Sequence, residues 1–142
     1  MREQELNYTV LDHTADLGMV VRAKTLEGLF EAAALSMIHI MLKVEKISSP
    51  IISPLSIEGQ DLPDLMVRWL GEILYLFEAE RLIIVDANVQ NLSKHGLEAT
   101  VFAIPFQPQV HEVFCEIKAV TYHQVEVKKN NSHWETRVIF DL

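Results

Sequence analysis

Along residues 25–42, Leu26, Leu29, Phe30, Ala33, Met37, Ile40 and Met41 recur at spacings of three and four, the signature of one apolar helix face. Thr25 stands where an N-cap is needed, with Glu27 in the favourable first turn. A second stripe, Leu62, Leu65, Met66, Trp69, Ile73, Leu76 and Phe77, predicts another helix. Asp61 is its N-cap, and Pro63 falls in the first turn, where a missing N–H does no harm. Asp64, Arg68 and Glu72 line the opposite face at i,i+4 spacing. Both stripes read as faces buried in a core.

The remaining segments follow a period of two. "LNYTVLD", "GMVVRAK", "PLSIEG", "RLIIVDANVQNL", "LEATVFAI", "EIKAVTYHQVEVKK" and "HWETRVIFDL" are rich in Val, Ile, Thr and aromatic residues and predict strands. The last two form a hairpin across "KKNNSH", because paired Asn residues tolerate the left-handed turn conformation. "SSPIISP" is a loop or an edge, where proline removes no ladder bond. The order strand, strand, helix, strand, helix and then several strands predicts an α+β fold, with two amphipathic helices packed on a mixed or antiparallel sheet. With neither repeats nor a linker, residues 1–142 are expected to form one domain.

Composition narrows the function. Hydrophobic residues make up 49% of 142, enough for a sizeable core. No stretch reaches the length of an apolar membrane span, and "MREQELNY" lacks the apolar region of a signal peptide, so a cytoplasmic protein is expected. Cys115 is the only cysteine, which excludes an internal disulfide and a thiolate zinc cluster. A small buried hydrophobe is the ordinary role of such a residue. The formal net charge of −8 argues against the chain gripping RNA or DNA by itself, because phosphate neutralisation needs clustered Lys and Arg. It suits metal binding or docking on a basic protein face.

G-x-S-x-G, Walker and H-E-x-x-H motifs are absent, which leaves carboxylate chemistry and gives no catalytic residue. Asp12 and Asp16 in "DHTAD", with Asp141 and the terminal carboxylate of Leu142 in "VIFDL", can supply oxygen ligands to a hard cation such as Mg²⁺, Mn²⁺ or Ca²⁺. Adjacent negative groups held by a strand repel, and a cation relieves that repulsion. The competing reading of "DHTAD" is a turn whose Asp and Thr side chains bond nearby amides, and that of the chain end is fraying. His13 reads as a ligand, a general base or a donor to a ligand. Alternation places Lys118, Val120 and Tyr122 on one strand face and Ala119, Thr121 and His123 on the other. Lys118 is then a surface residue, a charge partner for the carboxylates, or a contact to another macromolecule.

"DHTADLG", "TLEGLFEAAALSM", "DLPDLMVRWLGEILYLFEAE" and "EIKAVTYHQVEV", followed by "VIFDL", together resemble the archease family in order and spacing. The resemblance is thinnest across "FAIPFQPQVHEVFC", where a glycine-containing connection is expected and none occurs. It implies an accessory protein without an activity of its own. Archeases assist the GTP-dependent RNA ligase that joins 3′-phosphate or cyclic-phosphate ends to 5′-hydroxyl ends in tRNA splicing and RNA repair, promoting its guanylylation and multiple turnover. RNA is then met only through the ligase. The family's divalent metal site carries onto Asp12, Asp141 and Leu142, with Lys118 a functional residue and Asp16 and His13 in the same signature. Two other classes compete: a chaperone-like modulator of RNA-modifying enzymes, and a small metal-dependent hydrolase using Asp12, Asp16 and His13.

Overall fold

The computed structural model describes residues 6–12, 16–45 and 48–142, with Asp12 described by its backbone alone. The elements run β1 (Tyr8–Asp12), β2 (Asp16–Ala23), α1 (Leu26–Met41), β3 (Ile51–Glu58), α2 (Leu62–Glu80), β4 (Leu82–Ser93), β5 (Gly96–Pro105), β6 (Ala119–Asn130) and β7 (His133–Asp141). Every strand pair is antiparallel. The expected single sheet is in fact two: a four-stranded sheet ordered β1-β2-β7-β6 and a three-stranded sheet ordered β3-β5-β4. Two sheets arise because β7 returns from the chain end to pair with β2, whereas β3, β4 and β5 pair only among themselves.

The helix starts are those expected. Thr25 accepts a hydrogen bond from the Gly28 amide, and Asp61 accepts one from the Asp64 amide. α2 ends where Arg81 turns into the left-handed region at φ 56°, and its N–H returns to the carbonyls of Leu76 and Phe77. α1 is less amphipathic than its stripe implies. Leu29, Phe30, the run from Ala32 to Ile38 and Met41 are all buried, because α1 packs on β4 and β2 and also meets α2 and β7. α2 lies against β6, β4 and β3, so each helix touches both sheets and one core joins them. The indole N–H of Trp69, fully buried, donates to the Phe30 carbonyl at 2.8 Å and fixes one helix against the other.

"IISP" belongs to β3, whose only partner among the described residues is β5, so Pro54 sits on an edge as its missing N–H requires. The β6–β7 hairpin turns at Asn131, at φ 48°. The expected alternation along β6 breaks after Thr121, where the register jumps and next pairs Glu126 with Arg137. Gln124, at φ 52°, lies inside this bulge. Two hydroxyls bond to carbonyls within it, Thr121 to Ile139 and Thr136 to Glu126. No helix among the described residues is long and apolar enough to cross a membrane.

Candidate functional site

Three strand ends converge at one end of the four-stranded sheet. β2 starts at Asp16, directly opposite Asp141 at the end of β7, and Asp141 is opposite Ala119 at the start of β6. The N–H of Lys118, the residue before β6, donates to the Asp141 carbonyl at 2.8 Å. Across the sheet, the backbone of Asp12 pairs with Leu17. Topology therefore gathers Asp16, Asp141 and Lys118 and brings the Asp12 backbone beside them, although they are spread over the whole sequence. Cross-strand partners point to the same face, so the carboxylates of Asp16 and Asp141 share one side of the sheet. Asp16 lies in a strand, not in the turn that "DHTAD" permits. His13 lies outside the described residues. Leu142 packs its side chain on the core, which holds the end of β7 down.

Among the described residues no three His, Cys, Asp or Glu side chains converge as a ready metal cluster. The described part is a pair of carboxylates, and its chemistry fits a hard cation. Asp16 Oδ1 is buried and has no hydrogen-bond partner among the described residues, an acceptor held out of water opposite a second carboxylate.

Two features were hidden from sequence reasoning. The first is the anchor of β6. The Tyr122 hydroxyl donates to Asp64 Oδ1 at 2.6 Å, the Gln60 amide donates to Asp64 Oδ2 at 2.8 Å, and the Arg68 guanidinium bonds both oxygens. The Tyr122 hydrogen bond, followed by the Gln60 amide, holds the Asp64 carboxyl below its ordinary range, and the same Tyr122–Asp64 bond raises the phenol. Only the Asp64–Arg68 spacing was visible in advance. The second is a cavity of about 580 Å³ whose wall includes Met41, Phe77, Phe106, Cys115 and Ile117 and which reaches Lys118. The weakly patterned "FCEIK" gave no sign of it.

A family model described as "Archease protein family (MTH1598/TM1083)" matches residues 8–142. This chain belongs to the archease family. Protein archease of Methanosarcina mazei is 34% identical over 146 residues, spanning the whole of both chains. Protein archease of Pyrococcus furiosus is 33% identical over 135 residues, covering 92% of this chain and 95% of its own. The solution structure of Methanobacterium thermoautotrophicum protein 1598 superposes with a TM-score of 0.74 at 29% identity, covering 95% of this chain and 98% of that one. The fold is also that of a Thermotoga maritima protein described as an archease and possible chaperone, with a TM-score of 0.64 at 18% identity, covering 100% of this chain and 98% of that one. The archease fold thus accounts for both helices and both antiparallel sheets seen here.

Proposed function

We propose that this archease activates a GTP-dependent 3′-phosphate RNA ligase, promoting its guanylylation and repeated turnover, and that it has no catalytic activity of its own. The observation that carries the reading is the register of Asp16 against Asp141 beside Lys118, a fixed pair of like charges at a strand end. Such an arrangement costs stability and is explained by a cation or a basic partner. Asp12, Asp141 and the carboxylate of Leu142 would hold a divalent ion, Ca²⁺, Mg²⁺ or Mn²⁺, with Asp16 as a neighbouring acceptor. His13 belongs to the same sequence signature, "DHTAD". The ion would neutralise charge on phosphate oxygens in the ligase. The chain's own part is to present these oxygens on rigid strands and to keep Asp141 in place through the Lys118 amide. The Lys118 ammonium would meet a phosphate or a carboxylate of the partner.

An acidic surface also suits the task. With a net charge of −8, the protein can visit the basic face of an RNA-binding enzyme without competing for RNA. The protein is expected to act in the cytoplasm, and it meets RNA through the ligase alone.

The test is RNA joining by the cognate ligase under multiple turnover with GTP and Mn²⁺, comparing wild type, Asp12→Ala and a chain ending at Asp141. Substoichiometric wild type should raise turnover, and both folded variants should fail. Full stimulation by either variant removes the carboxylate site from the mechanism. No stimulation by wild type, with chelator-insensitive protection of client proteins from aggregation, favours the chaperone-like reading instead.

A further inference from the structure

We infer that the strap formed by residues 106–118, through the adjacent side chains Val113 and Phe114, is the surface on which the RNA ligase docks, and that it seats an apolar side chain flanked by Lys or Arg. The inference rests on the accessory reading above and deepens it by naming the contact chemistry.

The strap is irregular in conformation but firmly pinned. The amides of Phe114 and Cys115 both donate to the Met41 carbonyl at the end of α1, at 2.8 and 3.1 Å. The Lys43 amide donates to the Glu112 carbonyl at 2.8 Å, and Leu42 bridges to Val113. His111, 1% exposed, is held at both ring nitrogens. Its Nδ1 accepts from the Gln107 amide, and its Nε2 faces the Glu45 carbonyl at 2.8 Å. On this fixed backbone Val113 is 47% and Phe114 59% exposed. Two consecutive large apolar side chains held in water by an ordered backbone form a preorganised contact, because little chain entropy is lost when a partner covers them.

Charge selects the occupant. The sequence Glu112-Val113-Phe114-Cys115-Glu116 brackets the apolar pair with two exposed carboxylates, neither in an ion pair among the described residues. Glu78 lines the adjoining cavity with Val113. Of the two cations there, Arg81 lies over the Phe106 ring at 5.9 Å, and Lys118 stands at the far end, beside Asp141. Lys43, bonded through its amide to Glu112, is the cation beside the exposed pair, and its ammonium is matched by Glu45 at 3.4 Å, so Glu112 and Glu116 remain as the carboxylates there without an ion pair among the described residues. They complement the basic residues that an enzyme gripping RNA carries around its cleft. The cavity wall runs from Val113 to Lys118, so a partner seated here is continuous with the strand ends bearing Asp16 and Asp141.

The experiment measures affinity of the purified cognate ligase for the full chain by calorimetry, alongside stimulated turnover across a range of accessory concentrations. Val113→Ser with Phe114→Ser should weaken binding by about tenfold or more. The half-maximal concentration should rise in step, with maximal turnover at saturation unchanged. Glu112→Lys with Glu116→Lys should slow association and flatten its salt dependence. The chain ending at Asp141 should behave oppositely, binding normally but failing to stimulate. An unaltered dissociation constant for the folded serine variant overturns the proposal. So does a wild-type dimer that the serine variant disperses without changing ligase affinity, because the occupant is then a second copy. If the serine variant does not fold, the charge-reversed variant decides alone, and unchanged association kinetics overturn the proposal. If wild type does not bind the ligase at all, the accessory reading itself fails and this surface falls with it.

Discussion

Replacing Asp141 with Asn should make the metal-free protein more stable and the metal-loaded protein less so. Asp16 and Asp141 are direct cross-strand partners, and like charges so placed destabilise a sheet by roughly 0.2–1 kcal/mol. Coulomb's law sets a lower bound, since two unit charges about 6 Å apart repel by about 0.7 kcal/mol even in water and Asp16 Oδ1 is buried. Asn preserves the shape of the side chain and leaves the backbone bond from Lys118 intact. In EDTA, Asp141→Asn should therefore gain about 0.5 kcal/mol, a rise in Tm of roughly 1–2 °C for a chain of this size. If the strand ends hold a divalent cation as proposed, that cation at a hundred times its dissociation constant would stabilise the wild type by about 2.7 kcal/mol, or roughly 5–11 °C. The variant should lose most of that shift. Differential scanning calorimetry in EDTA and in Mn²⁺ or Ca²⁺ should thus show the order of the two proteins inverting. A variant that melts below wild type in EDTA refutes the repulsion, and one that keeps the full cation shift refutes the ligand assignment.

Two glycines should respond oppositely to alanine in urea denaturation. A Cβ on Gly59 would sit 3.0 Å from Leu65 Cα and 3.1 Å from its N, helix backbone that cannot easily give, so Gly59→Ala should cost roughly 1–3 kcal/mol. A Cβ on Gly71, inside α2, meets nothing within 4 Å, and Gly71→Ala should gain about 0.5–1 kcal/mol. Trp69→Phe removes the indole hydrogen bond to the Phe30 carbonyl, which keeps its bond within α1, and should cost roughly 0.5–1.5 kcal/mol in the same assay. The Tyr122–Asp64 anchor should appear in the pH dependence of stability. Asp64 is lowered from 3.8, so its contribution is present above that value and disappears as pH falls through the folded pKa; Asp64→Asn should flatten the acid limb. Tyr122 is raised from 10.0, so its contribution is present below that value and is lost as pH rises through the folded pKa; Tyr122→Phe should flatten the alkaline limb. Unchanged limbs in these variants would show that the anchor is not formed in solution.

Local signals carried far in this chain, and they stopped where long-range pairing decides. Thr25, Asp61 and Pro63 mark the helix starts because capping is settled within four residues, and the Asn130–Asn131 pair marks the hairpin for the same reason. Division into two sheets was not readable, because β3 joins β5 through pairs as far apart in sequence as Ile51 and Ala103. The bulge after Thr121 left no trace in the alternation of "KAVTYHQVEV", since the side chains there follow a period of two that the backbone does not keep. Lys118 and Tyr122, predicted to share a face, are separated by function in the structure: one holds Asp141 through its amide and the other holds α2 through Asp64. The carboxylates of "DHTAD" and "VIFDL" could be named as candidates from residue type. That Asp16 faces Asp141 needed the β2–β7 register.

The same register explains why the site is rigid. Each described carboxylate sits at a strand end that is fixed by something other than its own charge. β7 is held by β2 and β6 on its two sides and by the Leu142 side chain on the core. The start of β6 is tied to Asp141 by the Lys118 amide, and its bulge is tied to α2 by Tyr122. On a flexible terminus, two aspartates would swing apart and lose their repulsion, along with most of their attraction for a cation. Held in register they cannot, so the repulsion is retained in the free protein and is released when positive charge arrives, with little backbone reorganisation to oppose it. Weakening the hold on β6, as Tyr122→Phe does, should therefore reduce cation affinity at the strand ends even though Tyr122 touches neither carboxylate. Calorimetric titration of Mn²⁺ into that variant measures this directly, and an affinity equal to wild type would show that the pairing of β7 with β2 is sufficient by itself.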